Sequence, residues 1–257
     1  DITGSSERGE GVHISGDSTL KNVSVTGYTT TGMGVNVDGN LNSAGGTIIR
    51  GMATGDGTGI TLGPDITVTD SRLYGEARSG GQGVKIEKGT RLFRTLINGR
   101  SAGGNGTVIN GVVSSDSGST ITGNSETGAG VLLNGSLTGG SLLGHSGSGV
   151  GLQVMGSSQL SGVSVSASSK EGTPLRVNGV LSMTGGSLNG QELDNSSEKR
   201  QQVYEIQKRL SQNGHDLKQV LTYSGYRESD APVKVEVCTD GQCRNLDAGT
   251  KDGPSRP

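Results

Sequence analysis

The chain contains no tryptophan, one phenylalanine, five tyrosines, five prolines and two cysteines in 257 residues. Aromatics make up 2% of it and hydrophobic residues 29%. With so few rings and aliphatics, any folded interior has to be narrow, because protein cores are filled to near crystal density. Scarce proline and a formal net charge of −2 remove the usual compositional routes to disorder. The same near-neutral balance gives no electrostatic reason to expect nucleic acid or an anionic membrane as a partner. Apolar runs are only a few residues long, so no membrane span is expected. No signal peptide is visible, and Asp1 stands where an initiator methionine would, so the chain reads as a piece of something longer.

What is abundant is glycine, 48 residues, and it is placed in a pattern. "GVHISG" at Gly11–Gly16, "GVNVDG" at Gly34–Gly39, "GITLG" at Gly59–Gly63 and "GVLLNG" at Gly130–Gly135 repeat one alternation fenced by glycine. The first apolar residue of each unit falls at Val12, Val35, Ile60, Val84, Val108, Val131, Val150 and Leu175, mostly 23–25 residues apart. A second series, the glycine after "VSVT", "TIIR", "RLY", "LIN" and "TIT", falls at Gly27, Gly51, Gly75, Gly99 and Gly123, each 24 residues on. It continues less strictly through Gly144 and Gly190. Within units the apolar period is two, which is strand spacing. Val, Ile, Leu and Thr suit strands, and no helical period appears before about residue 195.

Short strands repeating at this interval describe a solenoid, and the all-strand solenoid is the parallel β-helix. The sequence predicts an all-β fold: a right-handed, single-stranded parallel β-helix of about eight coils of ~24 residues over 1–190. Stacked at a strand spacing of about 4.8 Å, the coils make a rod of roughly 40 Å. Glycine is expected at corners that need positive φ, and Ser, Thr and Asn are expected to bond locally and stack between coils.

Composition changes at Gln191. Residues 1–190 hold 43 glycines and 25 charged residues, whereas 191–257 hold 5 and 21. A small C-terminal α+β appendage over 191–257 is expected to act as cap or anchor. "NSSEKRQQVYEIQKRLSQNGHD" reads as a helix capped near Ser196 or Ser197 and ended by Gly214, with Val203, Ile206 and Leu210 on one stripe. Packing of this helix on the last coil would cover the open rod end. "LKQVLTYSGY" reads as a short helix or loop, and "DAGTKDGPSRP" as a solvated tail. "VKVEVCTDGQCRNL" reads as a hairpin turning at Asp240-Gly241. In that register Cys238 and Cys243 form the closer, non-hydrogen-bonded pair. They read as one disulfide in an oxidising compartment, the alternative being two free thiols.

Chemistry is harder to find. A lyase or hydrolase on this fold needs clustered carboxylates. At the 24-residue step, Asp17 maps to Leu41, Asp38 to Leu62 and Asp70 to Arg94, so no acidic ladder forms. Asp116 and Glu126 are candidates to approach each other on one coil, and His13 points outward from its strand. "GDGTG" at Gly55–Gly59 and "GSGVG" at Gly147–Gly151 lack the lysine and helix of a phosphate loop and read as corners. Catalytic residues, cofactors and metal ligands are therefore assigned to none. Arg72, Arg78, Lys85, Lys88, Arg91 and Arg94, with Arg100 beyond them, concentrate positive charge and form a candidate basic contact stripe; ordinary solvated positions are the alternative. Few stacking platforms exist for sugars: Tyr28, Tyr74 and Phe93. Asn-x-Ser/Thr triplets at Asn22, Asn105, Asn134 and Asn195 arise readily in so Ser- and Thr-rich a chain.

The units "TGMGVNVDGNLNSAGGTIIRG" and "TGAGVLLNGSLTGGSLLG" resemble the repeats of large bacterial exoproteins of the filamentous-haemagglutinin-like group, exported by two-partner secretion; autotransporter passengers are similar. The resemblance covers roughly residues 1–190 and is one of texture. It implies a β-helical shaft, secreted and displayed at the bacterial cell surface, acting as an adhesin toward a receptor or glycan on a host or neighbouring cell. Some adhesins of that group end in a cysteine pair that holds the C-terminus in an outer-membrane transporter, which Cys238/Cys243 resembles in kind. The contrasting expectation is a polysaccharide lyase or hydrolase of the pectate-lyase or tail-spike kind.

Overall fold

A computed structural model describes residues 1–189, 191–192, 221–223, 235–239 and 242–245. The described residues hold strands and no helix. Parallel strands wind into a β-solenoid of about eight turns. In the second turn Ser24–Thr29 lies on a first face, Met33–Val37 on a second and Leu41–Ala44 on a third. The first faces stack into a ten-stranded sheet, and the second and third together form a fifteen-stranded one. From Thr107 onward the second and third faces merge into single strands, Thr107–Ser115, Val131–Thr138, Val150–Ser161 and Thr173–Thr184. Each bends at a positive-φ glycine, Gly111, Gly135, Gly156 or Gly179, where a Cβ would be strained. "GDGTG" and "GSGVG" are corners between the first and second faces.

Val12, Val35, Ile60 and Val84 are successive ladder partners. A second column, Val25, Ile49, Leu73, Ile97, Ile121, Leu142, Val165 and Leu188, runs up the first face. None of its members is more than 1% exposed. Each such side chain contributes about 1.5–3 kcal/mol by leaving water. The expected ladder through Val108 and Val150 is displaced: Val108 pairs with Lys85 and Val150 with Thr173. Thr107 and Leu152 take the inward places. Thr107 tolerates burial because its hydroxyl donates to the Thr122 carbonyl at 2.8 Å.

The 24-residue glycine series has a different cause from the one expected. Gly27, Gly51, Gly75, Gly99, Gly123 and Gly144 are register partners in mid-strand on the first face. None has positive φ. A Cβ on Gly27 would overlap the carbonyl oxygen of Gly34, and one on Gly75 that of Gly83. The first and second faces thus touch backbone to backbone across the interior. Corner glycines with positive φ, such as Gly16 and Gly89, form a separate group.

Buried hydroxyls line two corners. At the corner after the first face, Ser101, Ser125 and Ser146 accept the N–H three residues on, from Gly104, Gly128 and Gly149, at 2.8–2.9 Å. The same three hydroxyls donate to carbonyls of the previous turn, those of Gly81, Gly104 and Gly128, at 2.7 Å. At the corner before the first face, Thr47, Ser71, Thr95 and Ser119 are buried at 24-residue intervals. There the Thr95 N–H donates to Ser119 Oγ at 3.1 Å. These bonds satisfy backbone groups that a narrow dry corner would otherwise strand.

Past the last full turn, Leu221–Tyr223 and Val235–Thr239 both pair in parallel with Thr173–Thr184. The segment around Leu221, expected as helix or loop, therefore contains a strand: the open edge supplies ladder partners that local propensity does not reveal. Thr239 opposes Gln242 and Cys238 opposes Cys243, as the hairpin register requires. The expected helix over 196–213 lies outside the described residues.

Gly75→Ala forces backbone apart and is expected to cost about 1–3 kcal/mol in denaturant unfolding. Gly46→Ala, with nothing within 4 Å of the added methyl, is expected to be near neutral. Ser125→Ala leaves the part-buried Gly128 N–H and Gly104 carbonyl without their partner and is expected to cost about 1 kcal/mol in the same assay.

Candidate functional surface

Because turns stack in register, outward residues also form columns. On the first face Thr26, Arg50, Tyr74 and Asn98 are successive partners, and beside them run Tyr28, Met52, Glu76 and Arg100. The Arg50 guanidinium lies over the Tyr74 ring, 5.8 Å from its centroid. Within this distance the ring face attracts a cation. Tyr28 and Leu96 are 39% and 37% exposed on the same face, with Arg72 and Arg100 exposed near them. This area combines arginine, tyrosine and aliphatic side chains on one sheet face. Arg50 was not among the candidates named from sequence. Its signal was its place 24 residues before Tyr74.

The six basic residues named from sequence occupy one turn and do not share a face. Arg72 is on the first face, Lys85 on the second and Arg91 on the third. Arg78, Lys88 and Arg94 sit at the three corners between those strands. They encircle the rod as a belt. Arg78 meets Glu76 at 3.7 Å and Lys85 meets Glu87 at 3.3 Å. Arg91 Nε donates to Thr67 Oγ1 at 3.1 Å. Among the described residues Arg72, Lys88 and Arg91 make no salt bridge.

Arg94 anchors a corner. Its Nε and Nη2 donate to the two Asp70 carboxylate oxygens at 2.6 and 3.1 Å, and its own N–H donates to Asp116 Oδ1 at 3.0 Å. Ser119 Oγ donates to the same Asp116 oxygen at 2.7 Å. The Arg94 hydrogen bond holds the Asp70 carboxyl below the usual range, and the Arg94 N–H followed by Ser119 does so for Asp116. Asp70 and Arg94 both have positive φ, so these bonds hold two left-handed corner residues. Asp116 and Glu126 do not meet: they flank opposite ends of the strand Thr120–Ser125.

His13 joins the first two turns. Its Nε2 lies 2.7 Å from Asp38 Oδ2 and its Nδ1 3.0 Å from Glu10 Oε2. Asn36 Nδ2 donates to the other Glu10 oxygen at 2.8 Å. The Asp38 hydrogen bond raises the imidazole pKa, with burial opposing it and the charges of Glu10 and Asp38 adding to it. At the far end Cys238 and Cys243 form a disulfide across the hairpin, with Cα atoms 4.0 Å apart. The Glu236 carboxylate lies within 4.8 Å of both sulfurs. It accepts from Arg176 Nε at 2.8 Å and Thr173 Oγ1 at 3.2 Å, tying the hairpin to the last turn.

No family model matches the chain, and neither a curated protein nor a solved structure is significantly similar to it. The fold class is that of a parallel β-solenoid.

The raised His13 pKa fixes the sign of a pH effect. The charged bridge is fully present below about pH 6.5, the ordinary histidine value, and is lost as pH rises through the raised one. His13→Gln is therefore expected to lower thermal stability below about pH 6.5 and to converge with the parent only above the raised histidine pKa. The difference is at most about 1 kcal/mol, because the side chain is 43% exposed and solvent screens it.

Proposed function

We propose that the chain is a non-catalytic β-helical shaft of a secreted bacterial surface exoprotein of the filamentous-haemagglutinin-like kind. It acts in adhesion to host or neighbouring cells. The observation that supports this reading most directly is the outward face of the ten-stranded sheet. Arg50 and Tyr74 are register partners there, and Arg100 and exposed Tyr28 and Leu96 lie in the columns on either side. Arginine and tyrosine are, with tryptophan, the side chains enriched at protein-binding hot spots, and the in-register sheet offers them over several turns. The basic belt around the fourth turn adds long-range attraction for an acidic surface.

A polysaccharide lyase is the second reading, and the cluster of Asp70, Arg94 and Asp116 is what favours it. The electrostatics weigh against it. A lyase base has to accept a proton, whereas the hydrogen bond and charge of Asp70 hold Arg94 more firmly protonated. The bound carboxylates are likewise committed to neighbouring backbone and guanidinium groups.

The purified chain is expected to bind cells without turning over a glycan. Replacing Arg50, Tyr74 and Arg100 together by alanine is expected to weaken binding by about tenfold or more in a cell-adhesion titration, with the strand circular-dichroism signal unchanged. Release of unsaturated ends from a polyuronate panel, abolished by Arg94→Ala, would instead establish the lyase reading.

A further inference from the structure

We propose that Leu221–Tyr223 and Val235–Thr239 form a lock over a self-adhesive sheet edge, and that opening the lock lets the last turn pair with the last turn of a second copy. The edge is the strand Thr173–Thr184, twelve residues reading "TPLRVNGVLSMT". It carries one charged residue, Arg176, and its single proline is at the second position. Exposed edges are normally blunted by charges, bulges or proline, because unpaired N–H and C=O groups template another strand. This edge has almost none of those protections, and its β-branched and aliphatic content favours pairing with its own kind.

Among the described residues the edge is covered in two pieces. Val235–Val237 pairs with Leu175–Val177, and Leu221–Tyr223 pairs with Leu181–Met183. Between them Asn178, Gly179 and Val180 have no partner on that side among the described residues. The only charge of the edge is taken up by Glu236, at 2.8 Å from Arg176. The locking strand is itself closed on its outer side by Gln242–Asn245, which runs antiparallel and is tied to it by the disulfide. The lock therefore neutralises the edge's single gatekeeping charge and ends the ladder in a hairpin.

The occupant of an opened edge is a second copy. Two identical edges related by a two-fold axis run antiparallel, so the same residues serve both sides and the contact closes at a dimer. A foreign strand would have to match a bent, twelve-residue template carrying one positive charge.

The test uses the full chain in sedimentation velocity over a concentration series. The parent is expected to stay monomeric. Glu236→Arg, which places like charges together, and the disulfide-reduced parent are each expected to dimerise with a dissociation constant lower by about tenfold or more. The charge-swapped pair Arg176→Glu with Glu236→Arg restores the ion pair and is expected to return the chain to monomer. In the Cys238→Ser, Cys243→Ser background, an Asn178→Cys chain is expected to cross-link to itself under oxidation. The proposal is overturned if Glu236→Arg remains monomeric while amides of 235–239 lose exchange protection. It is equally overturned if the parent and the swapped pair associate as strongly as Glu236→Arg. Where Glu236→Arg disturbs earlier turns, seen as loss of strand signal, the reduced parent decides: dimer formation supports the lock and a persistent monomer rejects it.

Discussion

The contact that governs this molecule is between glycines. On each of the first seven turns a mid-strand glycine of the first face meets the backbone of the second face where a Cβ would otherwise sit, as Gly27 meets Gly34 and Gly75 meets Gly83, and Ala167 takes that place on the next turn. Two sheets whose backbones touch leave room for only slender columns of aliphatic side chains on either side. The scarcity of aromatics and the wealth of glycine are thus one requirement. So is the register, since a slip of one residue would drive an outward side chain such as Arg50 or Tyr74 into the contact and turn the glycine outward.

A narrow interior creates a second demand at the corners, where the chain turns and backbone groups lose their ladder. Serine and threonine meet it from inside. The hydroxyls of Ser101, Ser125 and Ser146 each accept one bond within their own turn and donate one to the turn before. Those three turns are thereby fastened to the turn before at a corner as well as along their strands. Ala53 and Ala77 occupy the same column and are buried there, so a small side chain without the hydroxyl also fits.

The period, the two-residue alternation and the Asp-Gly hairpin were legible in the sequence because each recurs or carries a local turn signature. The points it hid are those where the interior accepts a polar residue. Thr107 faces inward, so an apolar count slides to Val108 and the ladder appears shifted. The strand at Leu221 has no local alternation to announce it and exists because the preceding edge pairs with it. The surface was harder to read for a geometric reason. Residues 24 apart lie side by side, whereas residues a few positions apart point in different directions around the axis. Arg72 to Arg94 therefore looked like a stripe and form a belt, while Arg50 and Tyr74 looked unrelated and stack.

The same mapping gives the small net charge another meaning. Residues 1–70 carry eight acidic and three basic side chains, and residues 71–100 carry two and seven. In a compact globule such blocks would mix over the surface. In a solenoid sequence position is axial position, so they become an acidic segment of about three turns followed by a basic belt. At a strand spacing of about 4.8 Å their centres lie farther apart than the Debye length of about 8 Å at physiological salt. Each band then acts on its surroundings as a separate patch rather than cancelling into a neutral whole. Negative charge is attracted to the belt and repelled one band away, so the two bands differ in what they attract. Position along the rod, more than total charge, therefore sets the field that each turn presents.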